Sequence, residues 1–114
     1  MMQKILVVDD DGSNRVTIER ILNREGYEVS HADSGRTAIE FLREERVDLV
    51  ITDLKMPGMT GIDLLKAVGQ MDPDIEVIVM TAFGTVETAV EAMKEGAYDF
   101  VSKPLKRLET KKGI

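Results

Sequence analysis

The chain has no cysteine, which excludes disulfide cross-links and thiolate-held metals. It has no apolar run near the ~20 residues that a membrane-spanning helix needs, so no membrane partner is expected. Met1-Met2-Gln3-Lys4 leads straight into a short strand-like run. It lacks the longer apolar stretch and small-residue cleavage site of a secretory signal, and a cytoplasmic location is the expectation. Internal repeats and low-complexity segments are missing. His31 is the sole histidine, on a polar stretch with no ligand partner nearby in sequence, and is expected to be structural or exposed. Positive charge is in deficit, with 15 Lys and Arg against 21 Asp and Glu, a net of −6. That balance argues against direct nucleic-acid binding.

The deficit is uneven. Residues 103–114 carry Lys103, Lys106, Arg107, Lys111 and Lys112 against Glu109, a net of +4, which leaves about −10 for the rest. The expected division is therefore a main domain over residues 1–105 and a basic tail over 106–114. A length of 114 residues suits one domain, and 43% hydrophobic content suffices for a core.

What is present is an alternation of short apolar runs and longer amphipathic stretches. Ile5–Val8 is apolar throughout, as a strand buried on both faces should be. Residues 13–25 predict a helix with Ser13 as N-cap and Gly26 just past its end. Glu28–His31 is a more polar strand, suited to an edge, and residues 35–45 place Ala38, Phe41 and Leu42 on one helical face. Asp48–Thr52 is a third strand. A loop with Pro57, Gly58 and Gly61 leads to a helix over 62–71, ended by Pro73. Glu76–Met80 is a fourth strand. Val86, Ala89, Val90, Met93 and Ala97 then give the clearest helical stripe, with Gly96 as its stop. Asp99–Ser102 is the fifth strand.

This βαβαβαβαβ order predicts an α/β fold, a flavodoxin-like doubly wound parallel sheet of five strands in the order 2-1-3-4-5. After Pro104 only Leu105 and Leu108 have helical spacing, so the fifth helix is expected to be shortened or truncated, as in a fragment of a longer chain. Truncation would expose apolar surface beside the first helix and favour self-association or marginal stability.

Four of the apolar runs end in polar residues: Asp9-Asp10-Asp11, Asp53, Thr81, and Lys103. Open parallel sheets bind ligands outside the carboxyl ends of their strands, at the point where strand order reverses. In the order 2-1-3-4-5, Asp9, Asp10 and Asp53 meet there. Crowded carboxylates repel one another, and Mg²⁺ would relieve that, since it takes oxygen ligands and retains water. Thr81 and Lys103 suit an anion sharing the metal, as a hydrogen-bond donor and a point charge. Each piece alone is ordinary. An acidic triplet favours a helix N-terminus anyway, Thr81 could cap a helix (Thr85 is better placed), and Lys103 could be a solvated lysine. Their joint order at strand ends is not ordinary.

These residues resemble the receiver domains of bacterial two-component response regulators. The motifs are Val7-Val8-Asp9-Asp10-Asp11, Asp53-Leu54-Lys55-Met56-Pro57-Gly58-Met59-Thr60-Gly61, Thr81-Ala82 and Lys103-Pro104, from Lys4 to about Leu105. Gly84–Val90 and Gly96–Phe100 look like receivers of the nitrogen-regulator class of transcriptional activators.

The resemblance implies that Asp53 accepts a phosphoryl group from a sensor histidine kinase, in a Mg²⁺-dependent reaction. It implies Asp10 and Asp53 as direct metal ligands beside Asp9, with the backbone carbonyl of Lys55 completing the protein shell. Thr81 would hydrogen-bond the phosphoryl group and Lys103 would pair with it, through a cis Lys103-Pro104 peptide. Lys55 and Phe83 sit where receivers tune the lifetime of the acyl phosphate. Thr81 and Phe100 would be the switch that alters the surface of helix four, strand five and helix five. Phe100, where many relatives have Tyr, has no hydroxyl to lock its inward position. Further implied partners are a downstream ATPase or DNA-binding output domain and a second copy of the chain. The implied function is a signalling switch that regulates transcription and catalyses only its own phosphorylation and dephosphorylation.

Two other readings stand beside it. One is a small phosphatase of the haloacid-dehalogenase type, with Asp9 as nucleophile and Asp11 as general acid. It lacks a later acidic pair and a cap domain, and leaves Asp53 without a role. The other is a protein-binding receiver that works without phosphorylation, against which the intact Asp, Thr and Lys set argues.

Overall fold

A computed structural model describes residues 3–82 and 84–103. In chain order the elements are β1 Lys4–Val8, α1 Gly12–Arg24, β2 Glu28–Ala32, α2 Gly35–Glu44, β3 Leu49–Asp53, α3 Gly61–Met71, β4 Glu76–Thr81, α4 Val86–Lys94 and β5 Asp99–Ser102. The strands form one parallel sheet in the order β2-β1-β3-β4-β5. β1 pairs with both β2 and β3, the latter with Val8 opposite Thr52. The crevice between β1 and β3 is thus where the connections change direction, as the alternation predicts.

Period-two alternation sends successive strand residues to opposite faces. Leu6, Val8, Val50, Val77 and Val79 face one layer, which they build with Ala38 of α2 and Ile62, Leu64, Leu65 and Val68 of α3. Ile5, Val7, Leu49, Ile51, Ile78 and Met80 face the other, with Ile18 and Leu22 of α1. Burying such side chains supplies about 1.5–3 kcal/mol each, and it fixes the register that presents the strand ends.

Several boundaries differ from the sequence expectation in ways that matter for the site. The N-cap of α1 is Asp11, not Ser13: the Asp11 carboxylate accepts from the backbone N–H groups of Ser13 and Asn14. Asp11 fills that role two residues earlier because its ionised oxygen is the stronger acceptor for orphan amides. β3 and β4 each run one residue further than expected, so Asp53 and Thr81 are the last residues of their strands. Thr85 caps α4 through a reciprocal pair with Thr88.

The α4 stripe is a clear correction. Val86, Val90 and Met93 are exposed, Val86 to 80%, while Ala92 is the buried residue of the helix. Ala97 is buried but lies beyond the helix end at Lys94. The expected fifth helix, with Leu105 and Leu108, and the tail over 106–114 fall outside the described residues.

Candidate functional site

Three carboxylates stand at the β1–β3 crevice. Asp9, Asp10 and Asp53 each offer an oxygen, and these oxygens lie within 4.8 Å of one another. Asp9 is fully buried, Asp53 is nearly so and Asp10 is exposed. Asp9 follows β1 directly, and its backbone N–H donates to the Ala32 carbonyl at 3.1 Å, continuing the β1–β2 pairing by one residue. Asp53 is anchored on the other side, where the Leu54 N–H donates to the Met80 carbonyl at 2.8 Å.

Lys103 closes the group from β5. Its Nζ lies 3.1 Å from Asp9 Oδ2 and 3.3 Å from Asp53 Oδ2. The Lys103 backbone N–H donates to the Thr81 carbonyl at 2.9 Å, which fixes the lysine beside the end of β4. Thr81 itself is buried at that end.

The electrostatics follow from burial and crowding. Burial pushes the Asp53 carboxyl above its ordinary value; the Lys103 ammonium opposes this and the Asp9 carboxylate adds to it. For Lys103, burial pulls the other way, toward the neutral amine, but the hydrogen bond to Asp9 and the charges of Asp53 and Asp9 outweigh it and raise its pKa. The pocket therefore holds concentrated negative charge that one ammonium only partly offsets. Oxygen donors crowded in this way fit a hard divalent cation.

The structure brings together Asp9, Asp10, Asp53 and Lys103, and places Thr81 at the end of the neighbouring strand with its carbonyl on the Lys103 N–H. Lys55 is exposed in the loop after β3. Phe100 is half-buried on β5 and packs against the core layer under α3. Phe83 and Pro104 lie outside the described residues, and with them the expected lifetime-tuning position and cis peptide.

Other contacts were not legible in the sequence. Arg15 Nη1 donates to the Asp9 carbonyl at 2.6 Å, and the Asp11 N–H donates to Asp9 Oδ1 at 2.9 Å. Asn14 Nδ2 approaches Asp9 Oδ2 at 3.4 Å. The spacing of Asn14 and Arg15 after the acidic triplet was their only signal. His31 does have a partner: its Nε2 lies 3.0 Å from Glu19 Oε1 of α1.

Asp11 is engaged at the N-terminus of α1, which occupies the carboxylate that a dehalogenase-type phosphatase would use as general acid. Asp53 by contrast is shared between the acidic cluster and Lys103. This arrangement disfavours the phosphatase reading.

The profile of the response regulator receiver domain matches residues 5–114. The chain belongs to that family. It is 50% identical over 101 residues to the transcriptional regulatory protein ZraR of Escherichia coli (strain K12), an alignment that covers 89% of this chain and 23% of the relative. The chain thus spans about a quarter of the length of that curated regulator. Among solved structures, chemotaxis protein CheY4 of Vibrio cholerae superposes with a TM-score of 0.89 at 33% identity, covering 99% of this chain and 95% of the other. A response regulator from Burkholderia pseudomallei, which contains a phosphorylated aspartic acid, a calcium ion and citrate, superposes at 0.84 with 30% identity, covering 90% and 60%. The chain is accordingly a receiver module of phosphorylation-dependent two-component signalling. Receiver domains are signalling domains, and this one carries the flavodoxin-like topology of its relatives. No helix among the described residues is long and apolar enough to cross a membrane.

Proposed function

We propose that this receiver is cytoplasmic and that Asp53 is its phosphoacceptor, taking a phosphoryl group from the phosphohistidine of a sensor histidine kinase. The observation that carries this reading is the convergence of Asp9, Asp10 and Asp53 within 4.8 Å, closed by the Lys103 ammonium at 3.1 and 3.3 Å. An Asp53 oxygen forms the new P–O bond as the P–N bond of the donor breaks. The departing imidazole nitrogen keeps the electron pair. Such transfer needs little covalent help and depends on positioning and charge neutralisation.

Asp10, Asp53 and the Lys55 carbonyl would hold Mg²⁺ directly, with Asp9 beside them. When bound, the ion supplies neutralisation of the phosphoryl oxygens. Lys103 pairs with the same oxygens, and burial of Asp9 and Asp53 limits competition from water. Arg15 and the Asp11 amide hold the β1–α1 turn so that Asp9 and Asp10 stay aimed at the crevice. The chain catalyses its own phosphorylation and dephosphorylation and turns over no separate substrate.

Phosphorylation adds about −1.5 to −2 charges and three acceptor oxygens. Thr81 moves toward them and Phe100 follows, biasing the surface beside α4 and β5 between two states. The similarity to ZraR supports a downstream output domain, of ATPase or DNA-binding type, and control of transcription by the whole protein. A second copy of the chain is a further partner of that surface. The acidic balance supports no nucleic-acid role for the module itself.

The test is incubation with Mg²⁺ and acetyl phosphate, followed by intact-mass measurement and mapping of the modified residue. Modification at Asp53, lost in Asp53→Asn, is the expected result. Phosphatase turnover that survives Asp53→Asn and dies with Asp9→Asn would overturn it. A protein that stays unmodified is a binding module only.

A further inference from the structure

We propose that Thr52 is a positioning residue that aims the Asp53 carboxylate, an inference that rests on Asp53 being the acceptor. Thr52 is the residue before Asp53 on β3 and its side chain is fully buried. Alternation along the strand turns it to the same face as Val50, toward the apolar layer built with α3. A hydroxyl in such surroundings must find a partner. Thr52 Oγ1 donates to the Asp53 carbonyl oxygen at 3.0 Å.

That carbonyl is confined from a second side. It faces the first turn of α3 at Gly61, where a Cβ would collide with the Asp53 carbonyl oxygen and come within 3.0 Å of Leu54 Cα. The Gly61 N–H donates to the Leu54 carbonyl at 2.8 Å, so the first turn of α3 is tied to the same stretch of chain. The Thr60–Asp63 capping box holds that turn in place. The Asp53 peptide unit is therefore clamped between a hydroxyl and a glycine.

The carbonyl and the side chain of Asp53 branch from one Cα. The chain is held on both sides, by the β3–β4 pairing up to Asp53 and by the Leu54 N–H on the Met80 carbonyl at 2.8 Å, so a tilt of the peptide between them is taken up at the Asp53 Cα, from which the carboxylate projects. The Thr52 hydroxyl bonds the backbone of Asp53, not its carboxylate, and so acts through the backbone of the acceptor. In sequence, Thr52 is marked only as the last residue of the third expected strand.

Thr52→Val keeps the shape of the side chain and removes the donor, whereas Thr52→Ser keeps the donor. The measurement is the rate of Asp53 modification by acetyl phosphate at saturating Mg²⁺, well below the melting temperature, with circular dichroism as the check on folding. Thr52→Val should phosphorylate about tenfold more slowly, the scale on which a small misplacement slows transfer, and Thr52→Ser should stay within about twofold of the parent. If Thr52→Val does not fold, Thr52→Ala removes the same donor and should show the same loss. A donor-free variant that melts earlier but reacts at the parent rate overturns the proposal, because the hydroxyl is then merely structural. A Thr52→Ser variant as slow as Thr52→Val overturns it too. Modification of the parent at a residue other than Asp53 overturns the acceptor assignment and this proposal together, and is recognised from the parent alone.

Discussion

Lys103 and Asp9 are 94 positions apart in the chain, yet Lys103 Nζ lies 3.1 Å from Asp9 Oδ2, a carboxylate side chain with no exposed surface. The pairing joins the last described strand to the first, and it holds the ammonium within 3.3 Å of Asp53 as well. Lys103→Met removes the cation and leaves its buried partner unpaired. Breaking a buried pair costs about 3–5 kcal/mol; the lysine side chain is 17% exposed, so about 1–3 kcal/mol is expected at pH 7. The raised pKa of Lys103 sets the pH window. Its stabilisation is complete below the unfolded value of about 10.5 and is lost as pH rises through the higher folded value. Urea unfolding between pH 7 and 12 should show that decline in the parent and not in Lys103→Met.

Asp53 titrates in the opposite sense from most native carboxylates. Its pKa is raised in the folded state, by burial first and by Asp9 in addition. Between 3.8 and that raised value the folded chain binds more protons than the unfolded one, so stability falls as pH rises through the window. Asp53→Asn should therefore stabilise the protein at pH 7, seen as a higher urea midpoint, and the gain should vanish below pH ~3.8, where both forms are neutral at this position. Equal urea midpoints for parent and variant at pH 7 would show that the Lys103 ammonium fully offsets the penalty.

The converging strand ends were legible because apolar runs mark buried parallel strands, and the handedness of their connections leaves few places for the ends to meet. Asp9, Asp53, Thr81 and Lys103 come together for that reason. Periodicity was less informative on α4. It groups Val86, Val90 and Met93 on one face but cannot say which face turns inward, and the sheet side is taken by the small Ala92. The cap of α1 was misplaced because Asp11 and Ser13 are both good caps, and only the observed turn, with the Asp11 amide on Asp9, chooses between them. Arg15 was missed because a long side chain reaching back six residues to a carbonyl leaves no pattern in sequence. Thr52 was missed because a buried hydroxyl reads like one more strand residue.

The acidic cluster predicts a metal-dependent stability. Asp9, Asp10 and Asp53 crowd their oxygens within 4.8 Å, and a divalent cation bound there stabilises the folded state over the unfolded one. At ~100 times the dissociation constant, Mg²⁺ should add about 2.7 kcal/mol. In a domain of this size that raises the melting temperature by roughly 10 °C or more. Asp10→Asn keeps the side-chain shape, removes an exposed ligand charge and should abolish most of the shift. Removing Mg²⁺ with a chelator should return the parent to its metal-free melting temperature. A shift of equal size in Asp10→Asn would place the ion elsewhere.

Gly84 provides the seat for the Phe100 ring. A Cβ on Gly84 would stand 2.9 Å from Phe100 Cε1 and 3.1 Å from Thr81 Cγ2. Both are closer than side-chain carbons ordinarily approach, so the absence of a side chain at 84 is what lets the ring lie against the end of β4. Phe100 is half-buried against the layer under α3 and cannot yield without losing those contacts. Gly84→Ala should therefore destabilise the fold by about 1–3 kcal/mol, the usual cost of overpacking. Phe100→Leu shortens the side chain and loses packing of its own, but it removes the clashing ring carbon. The two changes together should cost less than their separate costs added, with a coupling of at least ~0.5 kcal/mol. Urea unfolding of the parent, both single variants and the double variant measures this directly. Strict additivity would mean that the ring does not rest on Gly84.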